Sequence, residues 1–353
     1  MYAPSSDRRL SKVKKDYGMI ISLQELHSDR IDPFSLLDEE IRERLLRAAM
    51  TDISILLLGE TGTGKGQLAR AITAHSKRKE IVEINCAALP DELLGSELFG
   101  HKRGAFTGAI SDRKGILASS AGKTVFLDEI GEISPKMQRM LLSIVQRSHR
   151  LMKPLGSDDE IPVPPLRFIF ATNRNLECEV ASGRFREDLL RRIDVLSVKI
   201  PPLRSRSELI KGYIGTFLCE LSLLHSIPVL GIEKKALNKL EKYYWPGNVR
   251  EVKNCMERAL VTSKYESDGG IIISEDDIIL QAPKKSIKTL DETEGDEIRR
   301  ALDTSRGKIK DAMKILGIKS RSAFYFRLEK YGIKLDRIAR KKKDEGANDE
   351  ENS

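Results

Sequence analysis

Gly59-Glu60-Thr61-Gly62-Thr63-Gly64-Lys65 follows an apolar run, Ile53 to Leu58, and precedes Lys65 to Ser76, where Leu68 and Ile72 fall at helical spacing. Strand, glycine-rich turn and helix in that order make a phosphate-binding loop. Glycines let successive backbone N–H groups curl around an anion at the helix N-terminus, and the lysine reaches the terminal phosphates. A chance glycine-rich turn would match the spacing but not the placement between strand and helix. The motif ordinarily continues with Ser or Thr as a magnesium ligand; here Gly66 occupies that position, so the metal must lean on another group. Gly59 to Gly66 are the expected nucleotide contacts.

Downstream, the short apolar runs Ile81 to Ile84, Thr124 to Leu127, Leu166 to Ala171 and Val195 to Ile200 alternate with helical patterns. That alternation predicts a parallel sheet with helices on both faces. The run at Thr124 ends in Asp128-Glu129, where Asp128 can hold Mg²⁺ through water and Glu129 can polarise an attacking water. An acidic pair at a strand end is by itself an ordinary helix start; the upstream phosphate loop is what gives it chemical meaning. After Pro201-Pro202, apolar residues from Leu209 to Leu221 recur at three- and four-residue steps, predicting a small helical domain. The expected organisation is a leader over 1–33, loose or an extra helix, then an α/β domain over 34–202 and a helical domain over 203–281. A linker over 282–295, a helical segment over 296–335 and a charged tail over 336–353 complete it.

The 353 residues carry a net charge of +8, unevenly placed: from Ile298 to Lys343 there are 16 Lys and Arg against 4 Asp and Glu. A basic end on a mildly acidic remainder predicts contact with nucleic acid, although a solvated tail would account for Arg340 to Lys343. Nothing reaches the length of a membrane helix, and the basic N-terminus lacks a signal-peptide core, so a cytoplasmic protein without membrane contact is expected. Cys86, Cys178, Cys219 and Cys255 are widely spaced and predict buried, reduced thiols.

Gly104-Ala105-Phe106-Thr107-Gly108-Ala109 lies between the phosphate loop and the acidic pair. This string resembles the signature of the NtrC-type activators of sigma-54 RNA polymerase, a family of AAA+ ATPases, and the likeness runs from about Phe34 to Gly332. A flexible hairpin of small residues would explain the glycines, but not an exposed Phe106 and Thr107 at the tip. The resemblance implies ATP and Mg²⁺ as ligands, and the six-residue string as the sigma-54 contact. It also implies that Asn85 restrains Glu129, that Asn173 senses the γ-phosphate, and that Arg186 and Arg192 reach a neighbouring subunit's nucleotide. Arg250, in Trp245-Pro246-Gly247-Asn248-Val249-Arg250-Glu251, is implied as a second sensor, with Trp245 read as core. Locally these residues have plainer readings: a strand-end turn for Asn85 and a solvated helix face for the arginines. Three departures stand out: Gly66 where many members have Glu, a leader without the family's entry motif, and an extended stretch from Leu151 to Pro165.

Lys308 to Leu316, Gly317-Ile318, then Ser320 to Lys330 has the spacing of a helix-turn-helix and resembles the Fis-like end of the same family. Lys319, Arg321, Tyr325 and Arg327 are the candidate DNA contacts, a packing hairpin being the plainer alternative. The resemblance implies a ring, hexameric by family pattern, that works on the sigma-54 holoenzyme from upstream promoter DNA. Because the leader is too short for a sensor or receiver domain, a separate regulatory protein is the candidate for sensing. Two rival readings are a generic AAA+ remodeller, which has no reason to carry the string at Gly104, and a DNA-binding regulator with a decayed ATPase, which the intact Lys65, Asp128 and Glu129 oppose.

Overall fold

The computed structural model describes residues 20–26, 31–145, 151–265 and 269–280, and within 297–333 it describes 297–298, 301–302, 304–305, 308–318, 320–330 and 333. The start of the leader, the linker 282–295, Lys319 and the tail 336–353 lie outside the described residues. The chain divides into two units, Met1–Leu280 and Gln281–Ser353.

Five strands form the parallel sheet expected from the apolar runs. They are β1 (Ile55–Leu58), β2 (Ile81–Asn85), β3 (Thr124–Asp128), β4 (Arg167–Thr172) and β5 (Leu196–Lys199), in the order β5-β1-β4-β3-β2. Register places Asn85 beside Asp128, and Leu58 beside both Thr172 and Lys199, so every strand delivers its C-terminal residues to one edge. Alternate residues serve opposite faces. Ile55 and Leu57 pack with Leu45 of α1 (Glu39–Ala49) and with Leu68 and Ile72 of α2 (Lys65–Ala74). Leu56, Val125 and Phe170 pack instead with Leu94 of α3 (Asp91–Phe99), Leu141 of α4 (Pro135–Val145) and Leu189 of α5 (Glu187–Ile193). Burial on both faces explains why these strands are continuously apolar.

Arg167 is fully buried at the start of β4, where its guanidinium donates to the carbonyls of Ala48 and Ala49 at 3.3 and 3.2 Å. Those carbonyls belong to the last turn of α1, where the Ala48 carbonyl also accepts from the Thr51 N–H at 3.0 Å and the Thr51 hydroxyl at 2.9 Å, and the arginine places a cation at the helix's negative end. Burial holds the Arg167 pKa below its ordinary value.

The smaller domain contains α6 (Ile210–His225), α7 (Lys234–Lys242) and α8 (Asn248–Thr262). It is not wholly helical: Ile20–Ser22 pairs antiparallel with Val229–Glu233, which pairs in parallel with Ile271–Ile273. Residues 20–26 of the expected leader are therefore structured, with Ile20 and Leu26 each 2 % exposed. Three residues of strand are too short to show periodicity, which is why the leader read as loose. Trp245 is core, as expected: it is fully buried, and its indole N–H donates to the Leu240 carbonyl at 2.9 Å. Among the described residues, no helix is long and apolar enough to cross a membrane. Cys86 and Cys255 are buried as expected, but Cys178 and Cys219 are partly exposed.

In the second unit, α9 (Ile309–Ile315) and α10 (Arg321–Lys330) flank Gly317, whose φ of 67° suits a residue without a side chain. Ile298, Ala301, Leu302, Ala312, Phe324 and Leu328 form a buried cluster among its described residues.

Candidate functional site

The phosphate loop leaves β1 at the sheet edge, with Gly62 and Gly64 at φ 82° and 99°. Both angles are left-handed, the region where a side chain is strained. Thr63 Oγ1 donates to the Glu60 carbonyl at 2.8 Å and closes the turn. Lys65 is 6 % exposed; its Nζ donates to the Gly59 carbonyl at 2.9 Å and lies 3.9 Å from Glu129 Oε1. Burial holds the Lys65 pKa below the usual lysine value, helped by nearby Arg250 and opposed by Glu129 and Asp128.

Asp128 ends β3, two strands from the loop in the sheet order, and Glu129 follows it. Asp128 Oδ1 accepts from the Glu129 N–H at 2.9 Å, and Glu129 adopts a φ of 53° that turns the chain sharply. Glu129 Oε2 accepts from the Asn173 N–H at 3.2 Å, while Asn173 Nδ2 donates to Thr61 Oγ1 at 3.0 Å. Asn173, at the end of β4, thus bridges the carboxylate and the loop across the edge between them. Cys86 lies buried beside the acidic pair; burial first, and the two carboxylates next, push its thiol up to about 12.

The α8 N-terminus sits on the phosphate loop. The Arg250 N–H donates to the Gly62 carbonyl at 3.3 Å, bringing the candidate second sensor to the site. Two neighbours that sequence reasoning left unassigned do the clamping. Asn248, fully buried at φ 51°, donates from Nδ2 to Glu60 Oε2 and to the Thr61 carbonyl, both at 3.1 Å, and accepts from the Leu203 N–H at 2.8 Å. Arg204 makes a bidentate pair with Glu60 at 2.5 and 2.7 Å, and stacks over the Tyr244 ring at 4.9 Å. The Glu60 carboxylate, expected at the nucleotide, is thus engaged by the smaller domain, and the Arg204 hydrogen bond holds its pKa below the usual carboxylate value.

Asn85 stands one strand from Glu129, but its Oδ1 accepts from the Ala87 N–H at 2.9 Å, the strand-end turn that was its plainer reading. Arg186 lies on the segment entering α5, with Asp188 bridging its Nε and Nη2 at 2.9 and 2.6 Å; Arg192 is exposed on α5. Among the described residues, neither arginine makes a hydrogen bond or ion pair with Asp128 or Glu129 of its own subunit.

The string at Gly104 forms the tip of a hairpin between Gly100–His101 and Arg113–Lys114. Thr107 is exposed, but Phe106 is half-buried, in contrast to the expected exposed ring: it lies edge-on to His101 at 5.0 Å, and His101 Nδ1 is 2.7 Å from Ser96 Oγ. The extended stretch after Leu151 is a second hairpin, Leu151–Met152 paired with Ile161–Pro162, that braces the first. The Lys102 N–H donates to the Leu155 carbonyl at 2.9 Å, and a Cβ on Gly156 would stand 2.7 Å from that of Ala105. In the second unit, Arg321 and Tyr325 of α10 are exposed, whereas Arg327 is partly buried.

Sheet order, phosphate loop, acidic pair and clamped lid define an AAA+ nucleotide-binding module. Residues 36–199 match the sigma-54 interaction domain and residues 204–288 the AAA+ ATPase lid domain. The nitrogen fixation protein AnfA of Azotobacter vinelandii is 39 % identical over 86 % of this chain and 57 % of its own length. The transcriptional regulatory protein ZraR of Escherichia coli K12 is 41 % identical over 79 % of this chain and 64 % of its own. The alginate biosynthesis regulatory protein AlgB of Pseudomonas syringae is 40 % identical over 86 % of this chain and 68 % of its own. A crystal structure of NtrX from Brucella abortus with ADP superposes with a TM-score of 0.61 at 25 % identity, covering 92 % of this chain and 72 % of that one. The chain belongs to the family of sigma-54-dependent transcription activators, and spans less than two thirds of the length of AnfA and ZraR.

Proposed function

We propose that this chain hydrolyses ATP as a ring and uses the work to remodel sigma-54 RNA polymerase, held at upstream promoter DNA by its C-terminal helices. The observation that carries the reading is that one unit brings Lys65, Glu129 and Asn173 together at the phosphate loop and also holds the braced hairpin presenting Thr107, inside a sigma-54 interaction domain.

In this reading the backbone from Gly59 to Gly66 cradles the phosphates and Lys65 neutralises the terminal one. Glu129, oriented by the Asn173 N–H, polarises the attacking water, with Asn85 beside it as its restraint. Asn173 senses the γ-phosphate through its link to Thr61, and Arg250 senses it from the lid. Arg186 and Arg192 complete the pocket of a neighbouring subunit. Asp128 would hold Mg²⁺ through water, and the ion would supply positive charge against the charge that develops during phosphoryl transfer. The donor set fits that ion: magnesium in such sites takes one or two carboxylates and leaves the rest to phosphate and water. Among the described residues, no group of three or more His, Cys, Asp and Glu forms a metal cage. Gly66 does not close the space, since a Cβ there would meet nothing nearer than Phe126 Cε1 at 3.8 Å.

The domain scheme follows: 34–202 as the α/β ATPase, 203–281 as the lid, and 296–335 as a helix-turn-helix DNA reader. The net charge of +12 from Ile298 to Lys343 supplies its attraction to phosphate. Arg321 and Tyr325 are exposed on α10, where a second helix would face the major groove, and Lys319 and Arg327 belong to the same candidate set. The protein acts in the cytoplasm with the polymerase, and a separate regulatory protein is the candidate source of its signal. The purified chain should open a sigma-54 promoter with ATP, while Glu129→Gln should bind ATP yet fail to open it, with turnover down by at least about 100-fold. Promoter opening by Glu129→Gln at the unmodified rate would overturn the proposal.

A further inference from the structure

The segment behind Glu129 and the segment that carries Arg186 meet at one side chain. Glu129 begins a tight turn, Ile130–Glu132, that ends at Ile133. Some fifty residues later, Arg184, Phe185 and Arg186 lead into α5, with Phe185 buried at 3 % exposure. Gln138, on α4, lies between them and is 1 % exposed. Its Nε2 donates to the Ile133 carbonyl at 3.0 Å and to the Arg184 carbonyl at 2.9 Å. Its Oε1 accepts from the Arg186 N–H at 2.9 Å.

The other buried residues of α4, Met137, Leu141, Ile144 and Val145, are apolar and pack into the core. A polar group among them is costly unless its hydrogen bonds are made, and Gln138 makes them to backbone of the two segments. Only a primary amide offers two donors and an acceptor in one plane. Glutamate would set a carboxylate against two carbonyls, and leucine would leave three backbone groups without this partner.

We infer that Gln138 is a positioning residue: it fixes the backbone that presents Arg186 and ties it to the turn behind Glu129 of the same subunit. The inference rests on the reading that Arg186 serves the neighbouring subunit's nucleotide. Arg184 and Arg186 are pinned on either side of Phe185, so a displacement of the turn after Glu129 is passed to the arginine through one rigid amide. The guanidinium itself remains at the surface, 41 % exposed and braced by Asp188. A subunit's own catalytic turn thereby sets the reach of the arginine it offers to the next.

The test is subunit mixing with the full-length chain. Gln138→Leu should retain ATP binding and lose turnover about 10- to 100-fold, the scale of a catalytic group displaced by about 1 Å. Mixed with Lys65→Ala, whose pocket is disabled but whose Arg186 is intact, it should recover turnover as fully as Arg186→Ala does in the same mixture. Adding Gln138→Leu to Arg186→Ala should cause no further loss of turnover. Should Gln138→Leu not fold, Gln138→Glu, of equal size, enters the same mixtures. Rescue of Arg186→Ala without rescue of the Gln138 variant, or added loss in the double variant, overturns the positioning role alone. Failure of both rescues in co-assembled rings overturns the reading of Arg186 across subunits, and the inference with it.

Discussion

Gly62→Ala separates a clash from backbone strain at the seat of the lid. Gly62 and Gly104 share a φ of 82°, so an added methyl pays the same left-handed penalty at each, about 1 kcal/mol. At Gly104 nothing lies within 4 Å of the new Cβ, whereas at Gly62 it would stand 2.3 Å from the Gly247 carbonyl oxygen and 3.1 Å from Arg250 Cβ. Neither contact is the far end of a flexible chain, so the start of α8 must retreat by about 1 Å to restore ordinary van der Waals separation. That retreat stretches the Arg250 to Gly62 bond from 3.3 Å and the two Asn248 Nδ2 bonds from 3.1 Å, all beyond hydrogen-bonding range. Loss of a hydrogen bond costs about 1 kcal/mol, and a buried amide left unpaired costs about 1–3 kcal/mol, so roughly 3 kcal/mol is added to the strain. For a domain of this size that is an extra ~6–12 °C of Tm. Thermal melts of Gly62→Ala and Gly104→Ala measure it as a difference. Equal losses in the two variants would refute a lid seated on the phosphate loop.

Glu60→Gln should weaken the same clamp with a defined pH dependence. The folded carboxyl titrates below its unfolded value of about 4.3, so its contribution is complete above that pH and fades as pH falls through the lower folded value. The pair is partly exposed and worth at most about 1 kcal/mol, so the Tm gap between wild type and Glu60→Gln should be small at pH 7 and shrink as the pH falls below the unfolded value of about 4.3. A gap that does not shrink as the pH falls through the acid range would assign the effect to something other than the carboxylate. For the basic unit, Arg321→Ala should weaken binding to upstream promoter DNA and lower the slope of log affinity against log salt by about 1 if the arginine contacts a phosphate. An unchanged affinity and slope would take Arg321 off the DNA.

The sheet was legible because strands buried on both faces leave unbroken apolar runs: the stretch at Thr124 and the observed β3 (Thr124–Asp128) differ by one residue. The phosphate loop and acidic pair were legible because their chemistry needs fixed residue types at fixed places on the sheet edge. What was hidden depends on partners distant in sequence. Asn248 was in view within the Trp245 motif, yet only its left-handed φ of 51° and its contacts with Glu60, Thr61 and Leu203 show it to be a clamp. Arg204 and Gln138 carry no local pattern, since their meaning lies in residues 144 and 46 positions away. Phe106 read as exposed because small flanking residues imply a bare loop, whereas the ring of His101 half-covers it. The three-residue strand Ile20–Ser22 is below the length at which alternation can be recognised.

The central claim is that the Gly104 hairpin couples hydrolysis to the polymerase without taking part in the chemistry. Thr107 is exposed at its tip, Gly104 and Gly108 have open space around them, and the supporting contacts come from His101, Asp112 and Leu155. Thr107→Ala therefore removes an exposed hydroxyl and a methyl that neither the core nor the phosphate loop uses. Paired assays of ATP turnover and sigma-54 promoter opening on this one purified variant test the claim most directly. Turnover and ring assembly should stay within about twofold of wild type, consistent with a surface substitution, while promoter opening is lost. Promoter opening at the normal rate, or loss of both activities together, would contradict it.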